Sequence, residues 1–91
     1  MTRRYIINGR VQGVGFRWYV EKEARVIGVG GWVRNTEDGA VEVLASGSAD
    51  QLARLFKTLQ EGPRASRVDE VQEFEAEQQL TETSFRIEGA W

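Results

Sequence analysis

Apolar residues recur along this chain with two different spacings. Between Arg3 and Val11 the residues Tyr5, Ile7 and Val11 share one parity, and Tyr5, Ile6 and Ile7 are strand formers, which predicts a first β-strand. Gln12-Gly13-Val14-Gly15 interrupts that pattern. From Phe16 the spacing is helical: Phe16, Tyr19, Val20, Ala24 and Ile27 form one side, and Glu21, Lys22, Glu23 and Arg25 the other. Gly28 ends this helix, because glycine takes the left-handed terminal conformation cheaply. Two short strands, 31–35 and 41–45, flank the turn dipeptide Asp38-Gly39 and should form a hairpin. Ser48 and Gln51 fit a capping box, after which Leu52, Leu55, Phe56 and Leu59 make one apolar stripe until Gly62-Pro63 stops it. A fourth strand over 68–76 carries enough charge for an edge or a half-exposed face, yet Phe74 is expected in the core. A polar loop over 77–83 leads to a short last strand, 84–88, that takes Ile87 into the core.

The order is βαββαβ with an extra terminal strand. Right-handed crossovers and a central hairpin then give a ferredoxin-like α+β fold: a two-layer sandwich with an antiparallel sheet, an extra C-terminal strand and two helices on one face. No linker or low-complexity segment interrupts residues 1–91, which read as a single domain. In this topology the first two strands run parallel, so their carboxyl ends share one edge of the sheet.

A chain of 91 residues buries about 60–65% of the surface of its unfolded form. That supports one thin core, and it leaves a site to be built on a surface loop. The 12 basic and 14 acidic side chains nearly cancel, so bulk attraction to nucleic acid or an anionic membrane is not expected. Arg3, Arg4, Arg10, Arg17 and Arg25 fall in the first third, however, while glutamates crowd the last. A local positive site suits a small anion better than a polymer. The chain has no cysteine and no histidine, which excludes disulfides, Cys and His nucleophiles, Ser-His-Asp triads and the usual zinc sites. Its first residues are too polar for a signal peptide, and no apolar stretch approaches the ~20 residues of a membrane span. The expectation is a cytoplasmic protein.

The richest stretch is Gln12-Gly13-Val14-Gly15-Phe16-Arg17, where a strand ends and a helix begins. The first amides of a helix lack internal partners, and its dipole puts partial positive charge there. Glycines at 13 and 15 can turn successive N–H groups inward as an anion nest, and Arg17 can bring a planar guanidinium to the same place. A dinucleotide fingerprint would need a third glycine where Trp18 stands, and a P-loop would need Lys and then Ser or Thr; neither is present. The loop could equally reverse the chain with Arg17 as a solvated surface residue, and these residues alone leave both readings open. Asn35 arrives at the same sheet edge, but a polar residue ahead of Asp38-Gly39 could also be a plain turn residue.

Taken together, the run from Gly9 through Arg17, the run Gly31-Trp32-Val33-Arg34-Asn35, Asp38-Gly39 and Gly62-Pro63 resemble the acylphosphatase family over essentially the whole chain. The resemblance implies hydrolysis of the carboxyl-phosphate bond of acyl phosphates by a monomer, with no metal and no cofactor. It implies that Arg17 binds the phosphate, that Asn35 positions the attacking water, and that the backbone of Gln12, Gly13, Val14, Gly15 and Phe16 completes the cradle. Inorganic phosphate or sulfate would compete for it. Small departures are Val29, Arg64 and the tail Gly89-Ala90-Trp91, none of them expected to touch the site. The chemistry suits a chain this plain. Carboxylic acids have pKa values near 4, so the leaving group departs without protonation, and phosphoryl transfer is catalysed mainly by positioning and electrostatics.

Overall fold

The computed structural model describes residues 1–78 and 80–89. Its elements are β1 (Thr2–Arg10), α1 (Phe16–Ile27), β2 (Gly30–Asn35), β3 (Val41–Ser46), α2 (Ala49–Glu61), β4 (Arg67–Glu75) and β5 (Phe85–Ile87). The five strands lie in the order β4-β1-β3-β2-β5. β3 runs antiparallel to both β1 and β2, and β4 runs antiparallel to β1. β5 pairs parallel to β2 at the far edge, so the extra strand makes the sheet mixed.

Register decides which side chains make the core. Tyr5 lies opposite Val43 and Ile7 opposite Val41, while Val33 also lies opposite Val43, so these residues share one face. They are fully buried with Val20 and Ala24 of α1 and Leu55 and Leu59 of α2. The α1 stripe follows the helical spacing, and Gly28 closes that helix in the left-handed conformation at φ 97°. α2 begins with a reciprocal cap: the Gln51 amide N–H donates to Ser48 Oγ, and Ser48 N–H donates to Gln51 Oε1. Such a cap satisfies two of the donors a helix start otherwise leaves open. Burial pushes the Tyr5 hydroxyl pKa up, with Glu73 adding to the shift.

Phe74 departs from its expected place in the core. It is 39% exposed and lies opposite Arg4, on the face away from the helices, where the Arg4 guanidinium sits 4.9 Å above its ring. Period two explains this. Val71 faces Ile7 and packs against the core, so Phe74, three positions on, must point the other way. Ile87, by contrast, packs against the core as its pattern suggested. The same open face holds Glu42, buried between Arg4 at 3.0 Å and Arg34 at 2.8 Å. β4 itself is an edge strand of exposed charges, the composition that discourages pairing with another chain.

Two substitutions separate the layers. Leu55→Ala opens a cavity in the core and should cost about 2–5 kcal/mol, whereas Phe74→Ala loses an exposed stacking contact and should cost about 1 kcal/mol or less. Urea midpoints of the two variants check this, and equal losses would contradict the placement of Phe74.

Candidate active site

Because β3 separates β1 from β2, the two flanking strands point the same way. The loop after β1 and the end of β2 therefore meet at one edge, and a small pocket of about 90 Å³ opens there. Gly13, Gly15, Arg17 and Asn35 line it, with Val11, Phe16 and Trp18 completing the wall. Such a volume holds several water-sized groups, which is the scale of a tetrahedral oxyanion.

The loop owes its shape to Gly13 at φ 73° and Gly15 at φ 79°. A Cβ added at either position would meet no atom within 4 Å beyond its chain neighbours, so glycine serves there for its backbone conformation and not for space. Gly15 caps α1 with no side-chain hydrogen bond. Among the described residues, the N–H groups from Gly13 to Trp18 donate to no backbone carbonyl; the first such bond runs from Tyr19 N–H to Gly15 O at 3.0 Å. A run of N–H groups without backbone acceptors and the positive end of a helix thus lie beside one small pocket, an arrangement that favours an anion.

Three consecutive residues of α1 have three destinations. Phe16 is 1% exposed, at the core. Arg17 is half-buried at the pocket, and its Nη1 donates a long hydrogen bond, 3.5 Å, to the Glu88 carbonyl just beyond β5. Trp18 points outward. Of the early arginines, Arg3, Arg4 and Arg25 pair with Glu73, Glu42 and Glu21. Among the described residues no carboxylate lies within ion-pair distance of Arg17.

Gln12 and Val14, two of the five residues expected to give backbone to the cradle, direct their side chains elsewhere. Gln12 Nε2 donates to the carbonyls of Thr36 at 2.9 Å and Ala40 at 2.7 Å, tying the glycine loop to the turn that follows Asn35. Val14 packs against the core. Across the turn, the Thr36 hydroxyl donates to the Asp38 carboxylate and accepts from Ala40 N–H at 3.0 Å. The Thr36 contact holds the Asp38 carboxyl below the usual carboxylate range. Its stabilisation is therefore present above the unfolded group's titration near pH ~4 and is lost as pH falls through the lower folded value.

The sequence reading missed the Gln12 bridge and the Glu88 carbonyl, since neither a side-chain amide in a loop nor a main-chain acceptor leaves a motif. One expectation is corrected for Gly89: this first residue of the tail does approach the site. A side chain at Gly89, which has φ 97°, would come 3.8 Å from Arg17 Nη1, because β5 pairs parallel to β2 and so ends at the same sheet edge as Asn35. Ala90 and Trp91 lie outside the described residues. Val29 is buried in the core and Arg64 is exposed, and neither lines the pocket.

The architecture defines a class: a ferredoxin-like sandwich with an anion-receptive glycine loop joining its first strand to its first helix. The acylphosphatase family model matches residues 3–87. An acylphosphatase of Koribacter versatilis is 58% identical over 90 residues, covering 99% of this chain and 82% of that protein. The crystal structure of acylphosphatase from Bacillus subtilis superimposes with a TM-score of 0.92 at 36% identity, over 97% of this chain and 98% of that one. Full-length HypF, solved in a phosphate- and nucleotide-bound form, carries a similar unit within 12% of its length, at 28% identity and a TM-score of 0.84. The chain belongs to the acylphosphatase family.

The loop geometry is testable by itself. Gly15→Ala forces a Cβ into the left-handed region at about 1–2 kcal/mol and should relax the loop toward ordinary angles, turning donors out of the pocket. Titration calorimetry with inorganic phosphate should show affinity reduced at least tenfold in a variant that still folds; unchanged affinity would mean that the loop amides do not hold the anion.

Proposed function

We propose that the acylphosphatase reaction of this family runs here on Arg17, the amides of loop residues 12–16 and Asn35. The observation that supports the reading is that Arg17, Asn35 and the loop residues Gly13, Gly15 and Phe16, from separate elements, line one pocket of oxyanion size, beside N–H groups that have no backbone acceptor.

Arg17 and the amides hold the three peripheral phosphoryl oxygens and spread their negative charge. The Asn35 carboxamide accepts a hydrogen bond from water and orients it toward phosphorus, opposite the acyl oxygen. Attack forms the new P–O bond as the P–O bond to the acyl group breaks, and that electron pair leaves on the carboxylate. The proton lost by water passes to a phosphoryl oxygen, giving carboxylate and inorganic phosphate. A carboxylate needs no acid to help it leave, so two side chains and a loop suffice. Inorganic phosphate and sulfate occupy the same cradle as competitors. The reading extends to a cytoplasmic monomer, one chain supplying every group named.

Hydrolysis of an aryl acyl phosphate with chelator present tests the roles. Loss of a well-placed donor to a developing oxyanion costs about 3–4 kcal/mol, so Arg17→Ala should lower turnover roughly hundredfold or more and weaken competition by phosphate. Asn35→Ala should lower turnover while phosphate competes nearly as well as before. If Asn35→Ala abolished phosphate competition and kept wild-type turnover, the division of roles would be wrong. A wild-type protein that bound phosphate but turned over no acyl phosphate would overturn the reading as a whole.

A further inference from the structure

The glycine loop and Asn35 belong to separate units, and each unit is ordered by contacts of its own. On the loop side, Val14 packs against the core and Phe16 is buried in it. On the other side, the turn over 36–40 closes on itself: Thr36 N–H donates to the Ala40 carbonyl at 2.9 Å, and Gly39 N–H to the Thr36 carbonyl at 3.4 Å. Asn35 directly precedes that turn, at the end of β2 and opposite Val41. In-line attack needs the two units at a fixed separation, because water must stand on one side of phosphorus while the phosphoryl group stays in the loop. The ladder between β1 and β3 ends at Ile7 opposite Val41, so it does not extend to the loop. Among the described residues, the hydrogen bonds that join residues 11–16 to residues 35–40 are the two from Gln12 Nε2, to the carbonyls of Thr36 at 2.9 Å and Ala40 at 2.7 Å.

Two carbonyl acceptors fix the orientation of the Gln12 carboxamide, since only its nitrogen carries two N–H groups to give them. Neither acceptor depends on Gln12 for a partner, because each already receives one of the turn's own backbone N–H groups. The turn therefore closes without Gln12, and what the two bonds add is a span between the units. We propose that Gln12 is a positioning residue for the hydrolytic reaction: its carboxamide holds the turn after Asn35 at a set distance from the glycine loop and so aligns the Asn35-bound water with phosphorus. This role rests on the parts given above to Arg17, the loop amides and Asn35, and it adds a side chain that acts through Asn35. Its contribution belongs to the step in which water attacks, a step that phosphate resting in the loop does not report. Loss of the span lowers kcat and leaves phosphate binding in place.

Steady-state hydrolysis of benzoyl phosphate by wild type, Gln12→Met, Asn35→Ala and the double variant tests this, with inorganic phosphate as competitor. Met matches Gln in length but has no N–H to donate, and the backbone amide of residue 12 is kept throughout. Gln12→Met should lower kcat roughly ten- to hundredfold, the scale of misplacing a reacting group by about 1 Å. Its inhibition constant for phosphate should stay within about twofold of wild type. In the Asn35→Ala background the same substitution should lower kcat by less than about twofold, since no held water remains to misalign. A merely structural role would lower kcat by the same factor in both backgrounds, and that result would overturn the proposal. So would an unchanged kcat in Gln12→Met, or a loss of phosphate inhibition that matches the loss of kcat. If Gln12→Met does not fold, Gln12→Asn repeats the cycle with a carboxamide too short to span the same gap. If neither variant shows native far-UV dichroism, the span is a requirement of folding and the positioning role is wrong. If Asn35→Ala alone keeps wild-type kcat, or wild type turns over no benzoyl phosphate, the hydrolytic reading itself fails and the role of Gln12 falls with it.

Discussion

β3 lies antiparallel between β1 and β2, and the site depends on that one pairing. With a single strand between them, β1 and β2 run in the same direction and end at the same edge. There the turn into α1 and the last residue of β2 face each other across a small pocket. The register that fixes their relative height also builds the core, since Val43 faces both Tyr5 and Val33. A slip of β3 by one residue would turn Val41, Val43 and Ala45 to the open face and displace Asn35 from the loop at the same stroke. The geometry of the pocket and the burial of the core are thus held by the same ladder.

α1 connects the two layers in its first turn. Phe16 anchors the helix in the core, Arg17 reaches the pocket and Trp18 stands in solvent, all within a third-of-a-turn step per residue. Gln12 ties the loop before it to the carbonyls on either side of the β2–β3 turn. A domain too small for a deep cleft can still form a pocket of oxyanion size when the loop is short, its left-handed angles belong to glycine, and a side chain fastens it to the opposite turn.

Much of this was legible in the residues because periodicity and punctuation agreed. The change of spacing at Phe16, the Ser48–Gln51 cap and the Asp38-Gly39 turn each marked an element boundary, and the order of elements implied that Arg17 and Asn35 would converge. What was not legible depended on pairing that no local pattern encodes. Phe74 looked like core by type, but parity with Val71 sends it to the other face, where Arg4 covers it. Glu42 carries no local mark of its setting, since register alone sets it between Arg4 and Arg34. The tail looked remote from the site, and the parallel pairing of β5 with β2 brings Glu88 O and Gly89 to Arg17. Main-chain acceptors carry no sequence signature, so contacts of that kind become visible only in three dimensions.

The Glu88 carbonyl has a thermodynamic corollary. β5 is a three-residue strand at the edge of the sheet, the kind of segment that opens by local fluctuation at a free energy well below that of global unfolding. Each such opening withdraws an acceptor from Arg17 while the core stays closed. The alignment of the guanidinium therefore follows the fraying equilibrium of a short edge strand. On warming, order at the pocket should be lost ahead of the melting transition, with heat capacity and far-UV dichroism still reporting an intact protein.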